Sequence, residues 1–206
     1  MFATRHTTMT NATAPSPAGG GLESSGARPD PSGDARRILS AAIAILEQGG
    51  ELLQGLPPDA YGQRVPEAFD ASIGGHYRHC LDHFTSLRRA VGSGEVDYDN
   101  RDRDPRIESQ PGYALEVTEG LRGWLETLGP RILAMPVGAR CEVSYARGSA
   151  PVTGSTLGRE MVYAIAHAIH HYALISVMAR LMEVRVPSRF GVAPSTVAHN
   201  EKQATR

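Results

Sequence analysis

The sequence predicts an all-α protein, a four-helix bundle behind a disordered N-terminal tail. Three observations carry that reading. Four long segments place apolar residues at helical spacing, each bounded by Gly, Pro or capping residues. A chain of 206 residues, 41% hydrophobic and 21% charged, suits one domain with flexible ends. Six of the eight histidines fall in two clusters, His76, His79 and His83 and then His167, His170 and His171, each inside a helix-patterned segment. Two such helices side by side in a bundle can close a metal site.

Residues 1–33 are rich in Thr, Ala, Pro, Ser and Gly and nearly devoid of large apolar side chains, which predicts a disordered tail. The bundle is expected over 34–196, with a polar end at 197–206. The first helix starts near Asp34 as N-cap, with Ile38, Ala41, Ala42, Ile45 and Leu46 on its apolar face. Leu52 and Leu53 continue that face. Gly49-Gly50 marks a bend, and Leu56-Pro57-Pro58 ends the segment. The second helix runs from Asp70 or Ser72 to about Val91, with Ile73, Cys80, Phe84, Leu87 and Val91 as its stripe. Gly92-Ser93-Gly94 stops it. After a charged loop, a third helix is expected from Pro111 to Leu128 and then an irregular stretch, with a short strand at Cys141–Tyr145. The fourth helix runs from Ser155 or Thr156 to about Val184. It is apolar nearly all round, as befits the middle of a bundle. From Pro187 the chain reads as a closing loop.

A net charge of −1 gives no basic surface for nucleic acid or an anionic membrane. No apolar run reads as long enough to cross a bilayer. Cys80 and Cys141 form no Cys-x-x-Cys motif, consistent with a reducing cytoplasm. Arg5 and the Thr-rich start look like a cleavable leader, but Glu23 and Asp30 count against one.

His167 and His171 stand four apart, so both rings can reach one ion from one helix face. Position 168 is Ala, which removes the Glu of a zinc peptidase motif. His170 points elsewhere and reads as a core histidine. On the second helix, periodicity favours His76 or His83, which flank the apolar stripe, and leaves His79 further round. Asp82 is within helical reach of Arg78 for an ion pair.

The motifs Ser72-Ile73-Gly74-Gly75-His76-Tyr77-Arg78-His79, Ser155-Thr156-Leu157-Gly158-Arg159-Glu160 and His167-Ala168-Ile169-His170-His171 resemble those of the DinB / YfiT-like superfamily of metal-binding bundles. The resemblance spans about Asp34 to Thr196 and implies an up-down-down-up arrangement. It also implies a divalent metal on one histidine of the second helix, matched to His79, and on the pair His167 and His171. Zinc is the first expectation, with nickel, iron or manganese as alternatives. Thiol-dependent transferases and isomerases in that superfamily imply a small-molecule substrate, with a low-molecular-weight thiol among the candidates. Sulfoxide synthases of the ergothioneine pathway also occur there, but they need a second domain that this sequence does not contain.

Three neutral nitrogens leave an open coordination position, which is the mark of a catalytic metal. A zinc-bound water there would have a pKa of roughly 7. The expected function is therefore a metal-dependent hydrolase or thiol transferase, against a non-catalytic metal-binding or interaction module. Glu160 lies two turns before His167, where it either faces the site or complements the helix dipole. Tyr77 and Tyr172 are expected to pack, and Cys80 to be a buried hydrophobe rather than a nucleophile. Asp97, Asp99 and Glu108 match three calcium-loop positions, but Arg101 and Asp102 break that motif. The loop reads as a charge-paired lid or a homodimer contact, with Arg101 or Arg103 available to an anionic substrate group.

Overall fold

A computed structural model describes residues 30–145 and 148–205 of the chain. The expected tail falls outside the described residues up to position 29, and its last stretch is helical. Helix α1 spans Pro31–Gly55, and the Asp30 side chain accepts from the Ser32 amide. The cap is thus Asp30 rather than Asp34, because Pro31 is well suited to the first helical position. The other bundle helices are α3 (Ile73–Ser93), α5 (Pro111–Glu126) and α6 (Leu157–Leu181). Ser72 caps α3 by accepting from Gly75 N at 3.0 Å, and Gly94 ends it at φ 74°. Thr156 caps α6 by accepting from the Arg159 amide. Short helices α2 (Pro58–Gly62) and α4 (Pro105–Ser109) and a C-terminal helix α7 (Pro194–Ala204) complete the set.

Side-chain pairings give the helix directions. His76 meets His171 and His79 meets His167, so α3 and α6 are antiparallel. The Tyr172 hydroxyl donates to the Ile45 carbonyl, while Ile38 shares a surface hollow with Val162 and Ile165, so α1 and α6 are parallel. Gly50 faces Leu115, whereas Pro31 and Ala35 share a hollow with Pro130 and Leu133 beyond the far end of α5, so α1 and α5 are antiparallel. The bundle is therefore up-down-down-up. Leu46, Leu52, Ile73, Leu81, Phe84, Leu87, Leu121, Leu125 and Ile175 fill its core at 0–1% exposure.

Helix α1 runs unbroken through Gly49. The glycine makes room: a Cβ there would lie 2.3 Å from the Tyr172 hydroxyl and 2.5 Å from that of Tyr77. The two tyrosine rings stack at 6.1 Å in the bundle centre, and Phe190 stacks on Tyr172 at 4.4 Å. The closing segment therefore packs into the core at Phe190 before turning into α7.

Short strands bracket the bundle. Strands β1 (Arg64–Val65) and β2 (Ala71–Ser72) pair antiparallel just before α3. Strand β3 (Glu95–Asp97) runs parallel to β4 (Pro136–Arg140), which pairs antiparallel with β5 (Val152–Thr156). The strand expected at 141–145 is not formed, since β4 ends at Arg140 where its partners end. This sheet ties the end of α3 to the start of α6.

Helix α6 is a wall rather than a central helix, since Val162, Leu174, Val177 and Leu181 are exposed. By length and composition alone it could cross a membrane, contrary to the expectation that no run is long enough. Its inner face is taken up by α1 and α3. Ala41 of the predicted α1 face is also exposed.

Candidate metal centre

The seam between α3 and α6 holds five histidines. Each turn of α3 presents one ring to α6: His76, then His79, then His83. Helix α6 answers with His171 and His167. Ring nitrogens of His79, His167 and His171 all lie within 4.8 Å of one another, and all three residues are half-buried. The His79 Nε2 and His167 Nε2 atoms are 2.7 Å apart. Among the described residues this is the group that could hold a metal ion.

The flanking rings do other work. His83, only 3% exposed, donates from Nδ1 to the His79 carbonyl at 2.9 Å and stacks on Tyr98. His76 meets His171 through their Nδ1 atoms at 2.8 Å. Such a contact orients the His171 ring and constrains its tautomer. His170 is exposed on the outer side of α6, not in the core as predicted. The stripe of α3 points to the bundle centre, whereas the site lies at the seam with α6, to one side of that stripe. This is why periodicity leaned away from His79.

Burial lowers the pKa of every ring in the cluster. Desolvation is the leading cause, with mutual repulsion among the rings and Arg101 adding to it. His79 falls to about 2, His171 to about 3 and His83 to about 4. His76 and His167 are also lowered. These rings are therefore neutral near pH 7, the form in which imidazole binds metals.

The site opens outward. A pocket of about 380 Å³ is lined by His76, His79 and His171 together with Arg64, Arg78 and Glu108. On the other side, a cavity of about 220 Å³ lies against Tyr98, Cys141, Glu160 and Tyr163. The Tyr163 ring stacks on His167.

Several predicted pairings are rearranged. Arg78 bridges to Glu108 at 2.5 Å rather than to Asp82. Helix α4 makes this possible by lying close on α3: a Cβ at Gly74 would come within 1.9 Å of the Glu108 carbonyl oxygen. Asp82 is instead 3.9 Å from Arg101, whose guanidinium also hydrogen-bonds His79 Nδ1. Arg103 donates to the Asp99 carbonyl. Asp97, Asp99 and Glu108 do not act together: Asp97 caps its own turn, Asp99 accepts from the Glu142 amide and Glu108 holds Arg78. Glu160 is buried and accepts from Tyr98 Oη at 2.7 Å and Ser155 Oγ at 2.6 Å, so its link to the histidines runs through the Tyr98 ring. Burial raises the Cys80 thiol strongly, in keeping with a core residue. Tyr163 and the pairing of Asp82 with Arg101 were not singled out from the sequence, and Tyr98 stood out only as part of the Asp97-Tyr98-Asp99 loop. Tyr98 carried a signal, being the lone aromatic residue in a charged loop.

Comparison with known proteins places the fold. No family model matches the chain. FK506-binding protein 5 of Rhizopus delemar is 33% identical over 108 residues, 52% of this chain and 28% of that protein. The chain thus spans well under a third of that relative's length. The crystal structure of a DinB-like protein of Bacillus subtilis, YjoA, superposes with a TM-score of 0.56 at 19% identity, covering 75% of this chain and 98% of that one. The chain therefore has the DinB-like fold, with a three-histidine group at the seam of its second and fourth bundle helices.

Proposed function

We propose that this protein is a metal-dependent enzyme acting on a small molecule, a hydrolase or thiol S-transferase, with His79, His167 and His171 as ligands. The observation that carries the reading is the group of three neutral imidazoles, two of which line a pocket open to the outside. The donor set fits a borderline divalent ion such as zinc, which accepts three nitrogens and leaves a position free. A sealed site would favour a purely structural or binding role.

When bound, the ion would supply Lewis acidity and lower the pKa of a water or thiol. The chain's own residues do the rest. His76 and His83 hold the ligand rings from either end of the seam. Arg64 and Arg78 line the pocket rim, each already paired with an acid, Asp70 or Glu108. Three neutral ligands leave the ion's charge uncompensated, which favours an anion such as a thiolate in the remaining position. The exposed apolar stripe of α6 supports self-association, and a cytoplasmic location fits the two unpaired cysteines.

The test is metal content after purification and zinc reconstitution. Alanine at His79, His167 or His171 is expected to abolish stoichiometric binding, while His170→Ala retains it. Full metal retention in all three ligand variants would overturn the reading.

A further inference from the structure

Arg101 places a cation against the central donor. Its Nη1 donates to His79 Nδ1. A neutral imidazole that accepts at Nδ1 carries its hydrogen on Nε2. That hydrogen then points to His167 Nε2, 2.7 Å away. The nitrogen of His79 that faces the other donors is therefore protonated in this arrangement and has no lone pair for an ion. Ligation through Nε2 requires the proton on Nδ1 instead, facing a guanidinium that offers only donors. An Arg101–His79 hydrogen bond and a ligated His79 exclude one another.

A second acceptor stands ready. Asp82 is 4% exposed, and its Oδ2 has no hydrogen-bond partner among the described residues. It lies 3.9 Å from the same Arg101 Nη1, just beyond hydrogen-bond range. Arg101 Nε is likewise buried without a partner. A buried carboxylate and a partly buried guanidinium, both incompletely satisfied and a small movement apart, favour direct pairing. The arginine comes from the loop after β3, whereas Asp82 sits within helix α3.

We infer that Arg101 is a built-in competitor for the metal site: its guanidinium engages His79 when the histidine is unligated and passes to Asp82 when the histidine becomes a ligand. The inference rests on the metal-site reading above. It makes Arg101 a residue that sets metal affinity through His79, and Asp82 the residue that accepts it.

The experiment measures zinc affinity of the full chain by competition with a chromophoric chelator, in the wild type, Arg101→Met, Asp82→Asn and the double variant. Met keeps the apolar stem and removes every donor. Loss of a charged hydrogen bond that opposes ligation is expected to tighten zinc binding by about tenfold or more in Arg101→Met. Asp82→Asn is expected to weaken zinc binding in the wild-type background and to have little effect beside Arg101→Met. Long-range ¹H–¹⁵N spectra are expected to show His79 as the Nε2–H tautomer without zinc and the Nδ1–H tautomer with it. These spectra and Arg101→Met carry the test even where Asp82→Asn fails to fold. Equal affinity in wild type and Arg101→Met, or an Nδ1–H tautomer before zinc is added, overturns the inference and leaves the metal site standing. Absence of zinc binding by both folded proteins overturns the metal site and the inference together.

Discussion

Replacing Gly49 by Ala should destabilise the protein even though the position is helical and Ala is the better helix former. The added Cβ would stand 2.3 Å from the Tyr172 hydroxyl and 2.5 Å from the Tyr77 hydroxyl. Neither tyrosine is free to retreat. Tyr77 Oη is bonded to Thr118 Oγ1 at 2.9 Å and Tyr172 Oη to the Ile45 carbonyl at 3.1 Å, all inside the core. Overpacking costs about 1–3 kcal/mol. Disrupting a buried hydrogen bond adds about 1–3 kcal/mol. The helix propensity of Ala offsets about 1 kcal/mol. The net loss is about 3 kcal/mol, or about 6–12 °C in Tm for a domain of this size. Gly50 is the internal control. A Cβ there meets Leu115 Cδ1 at 3.5 Å, an ordinary contact, so Gly50→Ala should stabilise by up to about 1 kcal/mol. Urea and thermal denaturation of the two variants under identical conditions decide the matter. If Gly49→Ala matches or exceeds wild-type stability, the packing argument for the tyrosine pair is wrong.

Acid should unfold the chelator-treated protein early. The folded rings of His79, His171 and His83 resist protonation down to about 2, 3 and 4, while their unfolded counterparts take up protons near pH 6.5. Between those limits the unfolded chain binds more protons, so stability is full above pH 6.5 and falls as the pH drops below it. A urea midpoint that stays flat from pH 7 to pH 5 would contradict this. Glu160→Gln should lose about 1–3 kcal/mol in chemical denaturation, because the buried carboxylate accepts from both Tyr98 and Ser155 and an amide cannot accept twice in the same way. An unchanged midpoint would show that the pair is dispensable. Cys141, partly exposed, should react with an aromatic disulfide reagent in the native protein, and Cys80, 2% exposed, only after unfolding. Release of two thiols before unfolding would disprove the assigned burial.

The bundle was legible because its signals are local. Ser72 and Thr156 cap helices where a hydroxyl precedes an apolar-periodic run, and Gly94 stops α3 in the left-handed region. The pair His167 and His171 followed from helical spacing alone. His79 did not, because an apolar stripe reports the direction of the core and carries no information about which seam a neighbouring helix will occupy. Only the resemblance to DinB-like motifs pointed to it. The Arg78 and Asp82 partners were misjudged for a related reason. Intrahelical reach made them a pair, yet each is claimed by a residue from the segment after β3, Glu108 or Arg101. The strands escaped notice because β3 and β4 are about forty residues apart in the chain and only three positions of β3 take part. The helical end at Pro194–Ala204 was read as the last residues of a closing loop and a polar end, because none of its residues is buried, which leaves no apolar face to detect.

The seam histidines and the core are written on adjacent positions of the same two helices. His76 precedes the fully buried Tyr77, and His171 precedes Tyr172, so each helix turns one residue outward to the seam and the next inward to the stack. Chemistry and architecture are thereby separately editable. A carboxylate or thiol could be installed at the outward positions to change the side chains offered at the seam, while the inward tyrosines keep the helices in phase. The same frame could host unlike reactions without being rebuilt.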